Sequence, residues 1–135
     1  MQINAYLTFD GQCKEAFELY ARVLGGTLKL MTIGESPMAG QLAPEWQGRI
    51  MHARLDVGGQ TIMASDTPPG EHRPPQGLSV SVQVREPEET ERIFDALADG
   101  GKVTVPLAET FWSPRFGMLV DRYGTPWMIN CDREA

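Results

Sequence analysis

Adding 75 to the positions of Ile3, Ala5, Leu7 and Phe9 lands on Leu78, Val80, Val82 and Val84, and adding 75 to Gly25 and Gly26 lands on Gly100 and Gly101. A chain that repeats itself in register across an alternating segment and a glycine pair is built from two copies of one supersecondary unit. The alternation, with Asn4, Tyr6 and Thr8 or Ser79, Ser81 and Gln83 on the other side, has the period of a half-buried strand. After the first strand, Cys13, Ala16, Phe17, Tyr20 and Leu24 form one apolar helical stripe, with Asp10 as its expected N-cap. Pro87 opens the counterpart, whose stripe is Thr90, Ile93, Phe94 and Leu97. Each helix then runs into its glycine pair, the usual stop.

Three further strands are predicted after each helix. In the first copy they are Thr27 to Ile33, Arg49 to Val57 and Gln60 to Asp66, the last two joined by a Gly58-Gly59 hairpin turn. In the second they are Lys102 to Val105, Phe116 to Asp121 and Pro126 to Cys131. The expected fold is therefore α+β, a single domain over 1–135 made of two tandem βαβββ units. Unit one spans 1–66 and unit two 77–132, and 67–76, TPPGEHRPPQ, is a Pro-rich surface linker. One helix covers only one face of a four-stranded sheet, so the other, polar face is expected either to bend into a cavity, as curved mixed sheets around it, or to pack on something else.

Composition narrows the partners. Twelve Lys and Arg against eighteen Asp and Glu give a net charge of −6, which repels polyphosphate backbones and anionic lipid, so nucleic acid and membranes are excluded as expected partners. No apolar run approaches the ~20 residues of a membrane span, and the opening MQINAYLTFDGQ lacks the basic-then-apolar order of a secretory signal, which predicts a cytoplasmic protein. Cys13 and Cys131, distant and without a CxxC, are read as free thiols.

On the strand from Arg49 to Val57, Met51, Ala53, Leu55 and Val57 suit the helix side, which turns Ile50, His52, Arg54 and Asp56 toward the cavity. There His52 is a candidate general acid or base, and Arg54 a grip for a carboxylate or phosphonate. The alternative for His52 is a hydrogen bond to a neighbour such as Asp66 that orders the hairpin. Tyr6 and Thr8 face the same space. Asp66 is either a cavity carboxylate or the start of the linker turn. Trp112 and Phe116, beside Phe111, are candidate pocket walls or ordinary core, whereas Trp127 shares a side with Ile129 and belongs in the core. The segment Gly34 to Gly48 is a long loop with Met38, Leu42 and Trp46 as exposed apolar candidates, able to close over a ligand or reach a second chain.

The duplicated unit resembles the vicinal oxygen chelate superfamily of glyoxalase I, extradiol dioxygenases and the bleomycin- and fosfomycin-resistance proteins. Within it the chain is similar to the PhnB-like group. The matching stretches are AYLTFDGQCKEAFELYARVLGG, RIMHARLDVGG with IMASD, LADGGKVTVPLAETFW and RFGMLVDRYGTPWMIN, with Trp112, Gly117, Asp121, Gly124 and Trp127 as the group's pattern. The resemblance implies homodimers, and in metal-dependent members His and Glu ligands on the first and last strands of each unit. Here those strands offer Asn4, Tyr6, Thr8, Thr61, Met63, Ser65, Ser79, Ser81, Gln83, Met128 and Asn130, so no metal is expected. No cofactor is expected either, because no Gly-rich turn joins a strand to a helix. Three functions remain: binding of a small polar or anionic molecule in a metal-free cavity; a metal-independent lyase, isomerase or hydrolase using His52; and an interaction module acting through the 34–48 loop.

Overall fold

The computed structural model describes residues 1–132 and divides into two compact units, Met1–Arg73 and Pro74–Ala135. Unit one runs β1 (Ala5–Phe9), α1 (Cys13–Leu24), β2 (Thr27–Thr32), two single 3-10 turns (Ala39–Gln41 and Pro44–Trp46), β3 (Ile50–Val57) and β4 (Gln60–Asp66). Unit two runs β5 (Val80–Val84), α2 (Pro87–Ala98), β6 (Lys102–Ala108), β7 (Phe116–Val120) and β8 (Pro126–Cys131). The sheets have the same topology, β1-β4-β3-β2 and β5-β8-β7-β6, and in each the first strand lies parallel to the last. The α+β architecture of tandem βαβββ units is that read from the repeat. Phe9 pairs with Asp66 and Val84 with Cys131, so the offset of 75 at the first strands has fallen to 65 at the last. The difference lies in the longer connection from β2 to β3.

In unit one Leu7, Phe9, Ala53, Leu55 and Ala64 are buried beneath Ala16, Phe17 and Tyr20 of α1, with Phe9 and Phe17 meeting edge to face at 6.1 Å. In unit two Leu119, Trp127 and Ile129 meet Ile93, Phe94 and Leu97 of α2. Trp127 is in the core as expected, and its indole N–H donates to Asp121 at 2.9 Å. That buried carboxylate also accepts the amides of Tyr123 and Thr125, which fixes the β7–β8 turn around Gly124. Gly117 lets α2 approach: a Cβ there would lie 2.7 Å from the Phe94 ring and 3.0 Å from the Leu107 Cα.

Several local expectations are corrected. Ile3 and Leu78 are 91% and 56% exposed, because the ladders start at Ala5 and Val80, where β4 and β8 provide partners. Asp10 does not cap α1. It pairs with Arg49 at 3.3 Å, Gln12 holds the N-cap position without a side-chain bond, and Asp66 reaches in from β4 instead. Ile50 is buried rather than turned toward the polar side, at a register shift between Met31 and Thr32. Of the three apolar candidates in the 34–48 loop, Leu42 and Trp46 are half-buried and Met38 is exposed; the loop is folded on itself by the Gln47 amide, which binds the carbonyls of Ala39 (2.9 Å) and Leu42 (3.2 Å).

Candidate functional site

The sheet of unit one has a second face, opposite α1, built by alternation and register. Along β3, His52, Arg54 and Asp56 project on this side because Ala53 and Leu55 are buried under the helix. Across the ladder His52 faces Met31 of β2, Arg54 lies between Lys29 and Met63, and Asp56 lies between Thr27 and Thr61. Met63 in turn faces Tyr6 of β1, and Thr8 faces Ser65. The structure thus brings together Tyr6, Thr8, His52 and Arg54.

Tyr6 and His52 sit on strands separated by β4, and the phenol reaches across β4 to the imidazole: Oη lies 3.3 Å from Nδ1, with ring centroids 5.9 Å apart. The direction of this bond follows the imidazole tautomer: a ring protonated at Nε2 accepts from the Tyr6 hydroxyl, and one protonated at Nδ1 donates to it. Tyr6 is 49% exposed, which leaves the pair open to a ligand.

Arg54 is held from one side. Its Nε donates to both Asp56 oxygens at 3.0 and 3.1 Å, and the Thr61 hydroxyl donates to the same carboxylate. These bonds hold Asp56 below the ordinary carboxylate range, Arg54 contributing most and Thr61 next, and raise the already high Arg54 pKa. Among the described residues neither terminal nitrogen of Arg54 has an acceptor, so two parallel N–H donors remain for an anion. Lys29, directly opposite Arg54, adds positive charge, and both lie in a row with Met63 and Tyr6. The Asp56 latch and Lys29 were missed by the sequence reading: the two-residue period puts Asp56 on the side of Arg54, but Lys29 comes opposite Arg54 only through the register of β2 on β3.

Asp66 is not brought to this face. It shares the side of Phe9, and its oxygens accept three backbone amides: Gly11 at 2.9 Å and Cys13 at 3.0 Å on Oδ1, Ile50 at 2.9 Å on Oδ2. Nor is it the partner of His52. The Cys13 thiol beside it is pushed up by burial, with a smaller contribution from the Asp66 charge, and stays protonated. Among the described residues no three His, Cys, Asp or Glu side chains converge as a cation site.

Trp112 and Phe116 lie in unit two. Phe111, Trp112 and Phe116 pack edge to face, with centroid distances of 4.7 and 5.3 Å, but Phe111 is 92% and Trp112 47% exposed. The core alternative for Trp112 is thereby excluded. Phe116 faces Asn130, whose amide donates to Gln83 at 2.8 Å, and Gln83 donates on to Ser81 at 2.8 Å.

Residues 1–130 match the family model described as 3-demethylubiquinone-9 3-methyltransferase. The chain is 35% identical over 96% of its length to Protein YjdN of Escherichia coli (strain K12), covering 95% of that protein. Among solved structures it matches protein PA1353 from Pseudomonas aeruginosa with 46% identity, TM-score 0.90 and 99% of both chains covered. It also matches a putative 3-demethylubiquinone-9 3-methyltransferase, PhnB protein, from Bacillus cereus, with 26% identity, TM-score 0.79, and 97% and 99% of the two chains covered. The fold alone is shared with a glyoxylase/bleomycin resistance protein/dioxygenase domain from Frankia sp. EAN1pec, at 15% identity and TM-score 0.63, over 98% and 95% of the chains.

Proposed function

This chain belongs to the PhnB-like family, with the vicinal oxygen chelate fold, and from that premise we propose that unit one binds a small polar or anionic molecule without a metal. The observation that carries the reading is the Arg54 guanidinium, latched at Nε by Asp56 with its terminal edge open. Arg54 is the charge partner, His52 the hydrogen-bonding or proton-transferring group, and Tyr6 and Thr8 complete the surface. Trp112 and Phe116 are kept apart from this site, as proposed aromatic walls of the surface of unit two. We place the protein in the cytoplasm as a homodimer; no helix among the described residues is long and apolar enough to cross a membrane.

Neither group implied by the family fits the residues present. A transition metal needs imidazole, carboxylate or thiolate donors, whereas the open face offers one imidazole, an ion-paired carboxylate, hydroxyls and thioethers. An adenosyl methyl donor expects a Gly-rich strand-to-helix turn. The turn after β1 is Asp10-Gly11-Gln12, and Asp66 already accepts the Gly11 amide and the first helical amide. Elemental analysis of dialysed protein should find no stoichiometric Zn, Ni, Mn or Fe; one retained ion per chain that is lost in His52→Ala would overturn this part of the reading.

Phosphonoacetate is a suitable probe because it carries both anion types. Nuclear magnetic resonance titration should show saturable binding that Arg54→Ala weakens by ~10-fold or more, as expected for loss of charge-assisted bonds, and His52→Ala by about 1–2 kcal/mol. Binding that ignores Arg54→Ala would remove the proposal. The enzymatic alternative draws support from the Tyr6–His52 bond, which sets a phenol beside the imidazole as a proton-sharing partner. It requires a new phosphorus resonance to appear with time and to slow ~10²-fold or more in His52→Ala.

A further inference from the structure

The sheet of unit two carries a second kind of surface. Met118 of β7, Met128 of β8 and Ser81 of β5 occupy one row across three strands, since Met118 pairs with Met128 and Ser81 with Met128. With Pro75, Leu78 and Pro126 they line an open hollow of about 620 Å³, within the ~300–1,000 Å³ typical of small-molecule sites. No ionisable side chain lines it, although 22% of the chain is charged, and Leu78 is 56% exposed.

The polar edge of the hollow has a direction. Asn130 donates to Gln83, and Gln83 donates to the Ser81 oxygen, so the Ser81 hydroxyl keeps its own hydrogen for an external acceptor. One row further along, Phe116 and Trp112 continue the apolar surface. Thioethers are polarisable, adapt to shape and make favourable contacts with ring edges, and the neighbouring aromatic rings stack or meet a flat partner edge-on. A charged ligand would give up part of its hydration here with no opposite charge to compensate, only the Gln76 amide and the Ser79 and Ser81 hydroxyls.

We propose that this hollow binds an uncharged, flat aromatic molecule that carries a carbonyl or hydroxyl oxygen, with the ring over Met118 and Met128 and the oxygen on the Ser81 hydroxyl. All of these residues lie in unit two, so the proposal does not rest on the anion site, and phosphonoacetate binding tests that site separately.

The test uses the full chain labelled at the methionine methyl carbons, titrated with 2-naphthol and with 2-naphthoate. 2-Naphthol should shift the Met118 and Met128 resonances saturably, Ser81→Ala should weaken the effect about fivefold, and 2-naphthoate should act far more weakly. Resonances of Met118 and Met128 that stay still, respond equally to both probes, or respond to 2-naphthol equally in Ser81→Ala would overturn it. So would movement of both resonances on dilution alone, with a matching change of mass in light scattering, which would make a second copy of the chain the occupant.

Discussion

Gly26→Ala should destabilise the protein by about 3–5 kcal/mol, read as a lower urea midpoint, while Gly25→Ala should cost only about 1–2 kcal/mol. The two glycines are neighbours with positive φ, 81° and 95°, so backbone strain alone does not separate them. Their surroundings do. A Cβ on Gly25 meets nothing within 4 Å, whereas one on Gly26 would overlap the Asp56 carbonyl oxygen and lie 2.9 Å from Val57 Cγ2. The obstacle is backbone, so relief requires β2 to move off β3 where Thr27 pairs with Asp56. Gly101 meets the same obstacle in unit two without a positive φ, its Cβ position overlapping the Val120 carbonyl oxygen and lying 2.9 Å from Asp121 Cα, so Gly101→Ala should also be costly through the backbone overlap alone. Equal effects at Gly25 and Gly26 would refute this account of the repeated pair.

Asp66→Ala should cost about 3 kcal/mol, because three backbone amides, those of Gly11, Cys13 and Ile50, lose one charged acceptor together. Asn at the same position should recover only part of this. Its oxygen can keep the Gly11 and Cys13 pair, but its amide then turns N–H groups toward the Ile50 N–H. Hydrogen exchange should accelerate at Ile50 in both variants, and at Cys13 in Asp66→Ala. Phosphonoacetate affinity should stay within about twofold of the parent, since Asp66 lies on the helix side of the sheet. A tenfold loss of affinity with unchanged stability would return Asp66 to the ligand site.

The two helix starts show what a sequence reading reaches and what it does not. At α2, Pro87 occupies the first helical turn and has no N–H to satisfy, a local device that is visible in the chain. At α1 the first amide belongs to Cys13, and its acceptor comes from 53 residues away, so the nearby Asp10 was the natural but wrong choice. The β-period correctly put His52 and Arg54 on one side, because alternation is a property of a single strand. The Tyr6–His52 bond was out of reach, because it spans an intervening strand and depends on the order β1-β4-β3, which composition does not encode. Strand ends were overrun at Ile3 and Leu78 for a related reason: alternation persists after the partner strand has stopped. Trp112 was ambiguous because an aromatic in a loop has no period to assign its side.

The parallel pairing of first with last strand also sets a timetable for synthesis. As the chain leaves the ribosome, β1 and α1 emerge early, but β1 has no strand to join until β4 is complete, since Phe9 closes against Asp66. Leu7 and Phe9 therefore wait through more than fifty residues of translation, by which time β3 and β4 are both available to pair as a local hairpin. Closure of unit one is then possible before Val80 appears, so the nascent chain need never present two unpaired copies of the same strand at once. For a protein made of a near-repeat, in which β1 and β5 are interchangeable in pattern, that spacing guards against β8 capturing the wrong first strand.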